Sequence, residues 1–173
     1  MRAKKFKPII FSIALIFLLS CYFIWKQQTV TIFRAEKQFV YDPVFEHGLN
    51  KGSQYGFTDN QYYDIAVDHM PFTEWGRIQW YLKHKQEIKD KYNIPASSSY
   101  HIAFWAASNG FIDSDKSGNG DLICFNKTVS HKDCLEKDLL LLVDYNSDEY
   151  EKFTFYGSDH YWAVGSNGRL TFY

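Results

Sequence analysis

From Pro8 to Trp25 the chain runs 18 residues without a charged side chain, directly behind Arg2, Lys4, Lys5 and Lys7. As a helix this run rises about 27 Å, close to the ~30 Å hydrocarbon core of a bilayer. Lipid offers a backbone no hydrogen-bond partners, so Ile9, Ile10, Ile13, Leu15, Ile16 and Leu18 are expected on a helix, with Pro8 in its first turn. Four basic residues precede the run and only Lys26 follows at once, which predicts a cytoplasmic N-terminus. Tyr22 and Trp25 fall where interfacial aromatics meet headgroups. The expected organisation is a basic tail over residues 1–7, a single transmembrane helix over 8–25 and one domain over 26–173 on the far side of the membrane.

Two other readings of the run stay open. A cleaved signal peptide would end in a small-x-small site, and no Ala-x-Ala pattern closes this one. Leu18-Leu19-Ser20-Cys21 has the form of a lipobox with Cys21 as the acylated residue, yet Tyr22-Phe23-Ile24-Trp25 continues the apolar run where a lipoprotein starts a soluble tether. A plain Cys within an apolar helix is the simpler assignment. All three deliver the domain to the same side.

Beyond residue 26 the chain carries fourteen Lys and Arg against twenty Asp and Glu, so the domain is acidic although the whole chain is nearly neutral. Nucleic acid is thereby disfavoured, since binding it requires clustered cations, and a partner with a basic surface is favoured. The length suits one domain with a real core. Aromatic residues make up 19% of the chain, more than a core of this size needs, which leaves some for a partner surface. Cys124 and Cys134 are the only cysteines outside the apolar run and are expected to form a structural disulfide in an oxidising compartment.

Alternation of polar and apolar residues predicts strands at residues 29–33 with 38–41, then 62–67, 100–105, 121–125, 139–145, 150–156 and 161–164, the last returning through Gly165-Ser166-Asn167-Gly168 into 169–173. Gly48 to Gly56 reads as a loop. Thr73 is the expected N-cap of an amphipathic helix from Glu74 to Tyr92 that Asn93-Ile94-Pro95 ends. The expected fold class is α+β: a single N-terminal transmembrane helix, then one small domain with a mainly antiparallel sheet and one main helix.

Pro71-Phe72-Thr73, Gly76-Arg77-Ile78, Trp80-Tyr81-Leu82-Lys83 and Lys91-Tyr92-Asn93-Ile94-Pro95, with Leu122-Ile123-Cys124-Phe125 and Cys134-Leu135-Glu136-Lys137-Asp138, together resemble an enterobacterial family of putative membrane proteins, domain of unknown function nine-four-three. The resemblance spans roughly residues 59–173 and includes the N-terminal segment. It implies a protein of the bacterial inner membrane whose domain lies in the periplasm, and an immunity or accessory role beside toxin and secretion genes. It implies no catalytic residues.

Asp113, Asp115, Ser117 and Asp121 have the alternation of a calcium loop with Gly118 after the fifth position, but Cys124 stands where a bidentate Glu belongs. A polar turn competes with calcium as the reading of that run. Ser158-Asp159-His160 has the residue types of a hydrolytic triad, although three consecutive residues do not ordinarily face one another. No other catalytic or zinc signature is present, so the chain is expected not to be an enzyme and to need no cofactor. Asp144, Asp148, Glu149 and Glu151 are either solvated loop carboxylates or an acidic patch for a basic partner. Trp75 and Trp80 lie about 140° apart around the helix, so one is expected to face a partner while the other faces the core. The expected function is protein binding, as an immunity protein against an envelope-acting toxin, with a structural subunit of a membrane or secretion complex as the alternative.

Overall fold

The computed structural model describes residues 6–27, 29–38, 61–113, 122–126, 132–145 and 150–173. The chain falls into two units, residues 1–30 and Thr31–Tyr173. The first contains helix α1, Phe6–Gln27. Its Phe11, Ile13, Leu15, Ile16, Phe17, Leu18 and Leu19 are all exposed, and Ser20 Oγ donates back to the Ile16 carbonyl at 2.8 Å.

This helix corrects the expected transmembrane anchor. Among the described residues, no helix is long and apolar enough to cross a membrane. Of the α1 side chains described, those of residues 11–20 and Tyr22 are exposed. Among the described residues the protein is mainly a sheet domain with two helices. The side chain of Cys21 lies outside the described residues.

The second unit runs β1 Ile32–Gln38, β2 Gln61–Val67, α2 Glu74–Tyr92, β3 Tyr100–Ala106, β4 Leu122–Cys124, β5 Cys134–Glu136, β6 Leu139–Tyr145, β7 Tyr150–Thr154, β8 Trp162–Gly165 and β9 Leu170–Phe172. Seven strands form one sheet in the order β1-β2-β3-β6-β7-β8-β9, and β4 pairs with β5 in a second. Neighbours are antiparallel except β2 and β3, which run parallel. A parallel pair needs a crossover, and α2 supplies it.

Local chemistry fixes both ends of α2. Thr73, in extended conformation, accepts the Gly76 N–H at 3.1 Å, and Asn93 takes a left-handed φ of 56° while its N–H donates to Lys89 at 2.8 Å. Gly76 is required here, because a Cβ would sit 2.8 Å from that of Pro71. Ile78, Tyr81 and Ile88 of α2 are buried, and the Tyr81 ring meets Phe104 and Phe153 edge-on at 5.9 Å each.

Register explains the core. Tyr63 and Ile65 of β2 stand beside Ile102 and Phe104 of β3, these beside Val143 and Leu141 of β6, and Val143 beside Phe153 of β7. All are buried on the face that α2 covers. On the opposite face, Ala66 packs with Ala107, Phe125 and Leu135, with Trp105, Phe111 and Ile123 against them, so the small sheet covers one end of the large one. The Cys124–Cys134 disulfide joins the register partners of β4 and β5. Arg34 of β1 ties that layer down, with Nη1 3.2 Å from Asp133 and its guanidinium 4.2 Å over the Phe111 ring.

Candidate functional site: an aromatic surface at the start of the crossover helix

Glu74 is the first residue of α2, where a helix N-terminus favours negative charge. Its Oε2 accepts the Trp162 indole N–H at 3.0 Å and lies 3.0 Å from His160 Nε2. His160 Nδ1 lies 2.9 Å from Ser158 Oγ. Rings continue the cluster outward: His160 leans on Phe172 at 4.8 Å, Phe172 meets Trp162 at 5.0 Å, and Trp162 meets Trp75 at 6.0 Å. Trp75 is 52% exposed and Phe172 55%. Phe72 and Tyr156, the most exposed aromatics among the described residues of this unit, lie two residues before Glu74 and Ser158 respectively. Trp75, Trp162, Phe172 and His160 thus form one connected, partly solvent-facing aromatic surface, of a composition enriched at protein interfaces.

The electrostatics of the cluster decide what it can do. Desolvation raises the Glu74 carboxyl, but the hydrogen bonds from His160 and Trp162 outweigh it and hold the group below the usual carboxylate range. The hydrogen bond to Glu74 in turn lifts His160 above the ordinary imidazole range, against a smaller opposing desolvation. Ser158, His160 and Glu74 have the residue types of a hydrolytic relay. The Ser158 N–H, however, donates to the Phe155 carbonyl at 3.2 Å rather than pointing at a site for an oxyanion. The two bonds to Glu74 fix the orientation of the His160 and Trp162 rings, as a clamp would.

The profile of one family, described as enterobacterial putative membrane protein (DUF943), matches residues 3–172. The chain belongs to this family. No curated protein and no solved structure matches it.

In this DUF943 chain the residues nominated from sequence separate. Trp75 belongs to the aromatic surface, whereas Trp80 packs edge-on against Phe104 at 5.9 Å and stacks on His84 at 4.9 Å. The acidic group does not form one patch, because Asp144 and Glu151 point to opposite faces of the sheet: Asp144 is the register partner of Lys152, and Glu151 that of Tyr145. Asp144 bonds His101 Nδ1, whose ring stacks on Tyr62 at 4.5 Å. Glu151, read from sequence as an exposed loop carboxylate, is 5% exposed and is corrected to a core residue. It accepts hydrogen bonds from Tyr81 at 3.1 Å, Tyr100 at 2.6 Å and Lys85 at 2.9 Å. Asp148 and Glu149 lie outside the described residues, as do Asp115, Ser117 and Asp121 of the calcium reading. Asp113 follows Ile112, which bridges to Cys134. Among the described residues no three metal-type side chains gather. Sequence reasoning missed Glu74, Trp162 and Phe172, and it discounted His160; the one local signal was the acidic residue directly after a helix cap.

Proposed function

We propose that this protein binds another protein in the bacterial envelope, most specifically as an immunity protein that neutralises an envelope-acting toxin with a basic surface, and that it does so without catalysis of its own. The observation that carries the reading is the Trp75–Trp162–Phe172 surface clamped over Glu74. Rigid aromatic side chains bury much area at small entropic cost and dominate interface energies. Glu74 and the fully exposed Asp159 give that surface a negative sign, and the acidic excess of the domain would steer a basic partner toward it. The Cys124–Cys134 bond supports an oxidising compartment, and membership of a family described as membrane proteins supports a site of action at the membrane.

The test is co-expression with the product of the adjacent gene directed to the periplasm. Protection by the wild type, lost with Trp75→Ala in a variant that keeps wild-type thermal stability, is the expected result. Toxicity that the wild type does not relieve, or full protection by Trp75→Ala, overturns the reading. Crosslinking to resident inner-membrane proteins in cells free of toxin would instead favour the accessory-subunit alternative.

A further inference from the structure

The sheet face turned away from α2 holds a second surface, separate from the aromatic one. Strand periodicity sends Glu151 and Phe153 inward and turns Tyr150 and Lys152 of β7 outward, beside Gly165 and Ala163 of β8. Thr171 of β9 continues the row next to Ala163. Just beyond, Tyr161 and Tyr173 exchange backbone hydrogen bonds at 3.1 and 2.9 Å and stack their rings at 5.0 Å, 12° from parallel. Ala163 and Gly165 project little or no side chain, so their strand forms a floor between tyrosine walls. The resulting groove has a volume of about 470 Å³, within the ~300–1,000 Å³ of small-molecule sites.

The wall chemistry selects the ligand. Among the described residues, the hydroxyls of Tyr150, Tyr161, Thr171 and Tyr173 meet no protein partner, and neither does the guanidinium of Arg169. An apolar occupant would strand all five groups away from water, at a cost that disfavours it. Arg169 stands at the groove because the Asn167 side chain accepts its backbone N–H at 2.9 Å, which closes the β8–β9 turn. Lys152, beside the groove, holds its Nζ 4.5 Å from the centroid of the Tyr161 ring. A lone inorganic anion would use the Arg169 cation and leave the tyrosines idle. A sugar ring uses both, since its hydroxyls pair with phenols while its C–H face lies on the negative face of an aromatic ring. A carboxylate on that sugar matches the planar fork of Arg169 in two parallel bonds.

We propose that the groove binds an acidic oligosaccharide, with Arg169 taking a carboxylate and the tyrosines flanking the sugar rings. The site does not depend on the protein-binding surface, which lies on the other face of the same strands. The test is calorimetric titration of the full chain, held in a zwitterionic detergent without a sugar headgroup, with tetragalacturonate, cellotetraose and tetraglutamate. Saturable binding of tetragalacturonate is expected, at least tenfold tighter than either control. Arg169→Ala, an exposed position, should weaken it at least tenfold with an unchanged circular dichroism spectrum, and Thr171→Val severalfold, while Trp75→Ala leaves it unaltered. Equal binding of tetraglutamate would reduce the groove to a general anion site and overturn the proposal. So would full affinity in Arg169→Ala, or no saturable binding of tetragalacturonate at millimolar concentration.

Discussion

Replacing Glu151 by Ala should unfold this domain more readily than any single change on its surface. The carboxylate is 5% exposed and accepts the Tyr81 hydroxyl at 3.1 Å and the Tyr100 hydroxyl at 2.6 Å, with Lys85 Nζ at 2.9 Å from its other oxygen. Each hydroxyl bond to a charged acceptor contributes about 1.5–3 kcal/mol, and truncation leaves the two buried hydroxyls with only each other to bond. Lys85 is half-exposed and returns to water, so its loss adds little. The loss of two such bonds sets the expected cost at about 3–5 kcal/mol. For a chain of this size that lowers Tm by roughly 6–20 °C. Tyr81→Phe keeps the ring against Phe104 and Phe153, removes only one bond, and should cost about 1–2 kcal/mol. Urea unfolding of Glu151→Ala, Tyr81→Phe and the double variant closes a mutant cycle. A loss below about 1 kcal/mol for Glu151→Ala, or strict additivity in the cycle, would show that the carboxylate is not the shared acceptor.

Other consequences are open to direct measurement. Reducing the Cys124–Cys134 bond, which spans a sequence separation of 10, should cost about 2.5–3 kcal/mol, with hydrogen exchange rising in β4 and β5 before it rises in the seven-stranded sheet. Glu74→Gln should drop the His160 pKa toward the ordinary imidazole value in an NMR titration; in the wild type the pairing stabilises the fold at acidic pH and fades as pH climbs through the raised His160 value. Burial and the neighbouring Glu151 push the Tyr81 and Tyr100 phenols far up. The stability they contribute is complete below the normal tyrosine range and declines as pH rises past about 10. Ultraviolet titration should accordingly find two of the thirteen tyrosines ionising only as the domain unfolds.

Local chemistry was the legible part of this fold. The ends of α2 fall at Glu74 and Tyr92 as Thr73 and Asn93-Ile94-Pro95 indicate, because a cap is decided by residues adjacent in sequence. Partner-dependent features were harder to see. The first strand was expected over residues 29–33 and 38–41, yet it occupies Ile32–Gln38, since pairing of Arg34 with Ala66 and Gln38 with Tyr62 sets its position. Strand β5 escaped notice because three residues carry no period, and Cys124 with the Ile112 bridge holds them in place. The apolar N-terminal run was read by its hydropathy, whereas among the described residues no helix is long and apolar enough to cross a membrane. Glu151 is the instructive misreading: proximity to a turn suggested solvent, although it shares the parity of Phe153 and so faces inward. Beyond the acidic residue after the α2 cap, nothing local foretold the clamp, whose Glu74 and His160 stand 86 residues apart.

Strand β9 serves two masters. Phe172 completes the aromatic surface on one side, and Thr171 lines the groove on the other, so a single three-residue strand is a structural term in both sites. A slip of one position in the β8–β9 hairpin would exchange the two sets of side chains and silence both surfaces together. The register rests on Gly168, whose φ of +70° favours glycine and whose N–H donates to the Gly165 carbonyl at 2.9 Å. Gly168→Val, which alters no side chain of the aromatic surface, should therefore weaken protein and saccharide binding in parallel, linking through one turn two recognition events that share no ligand.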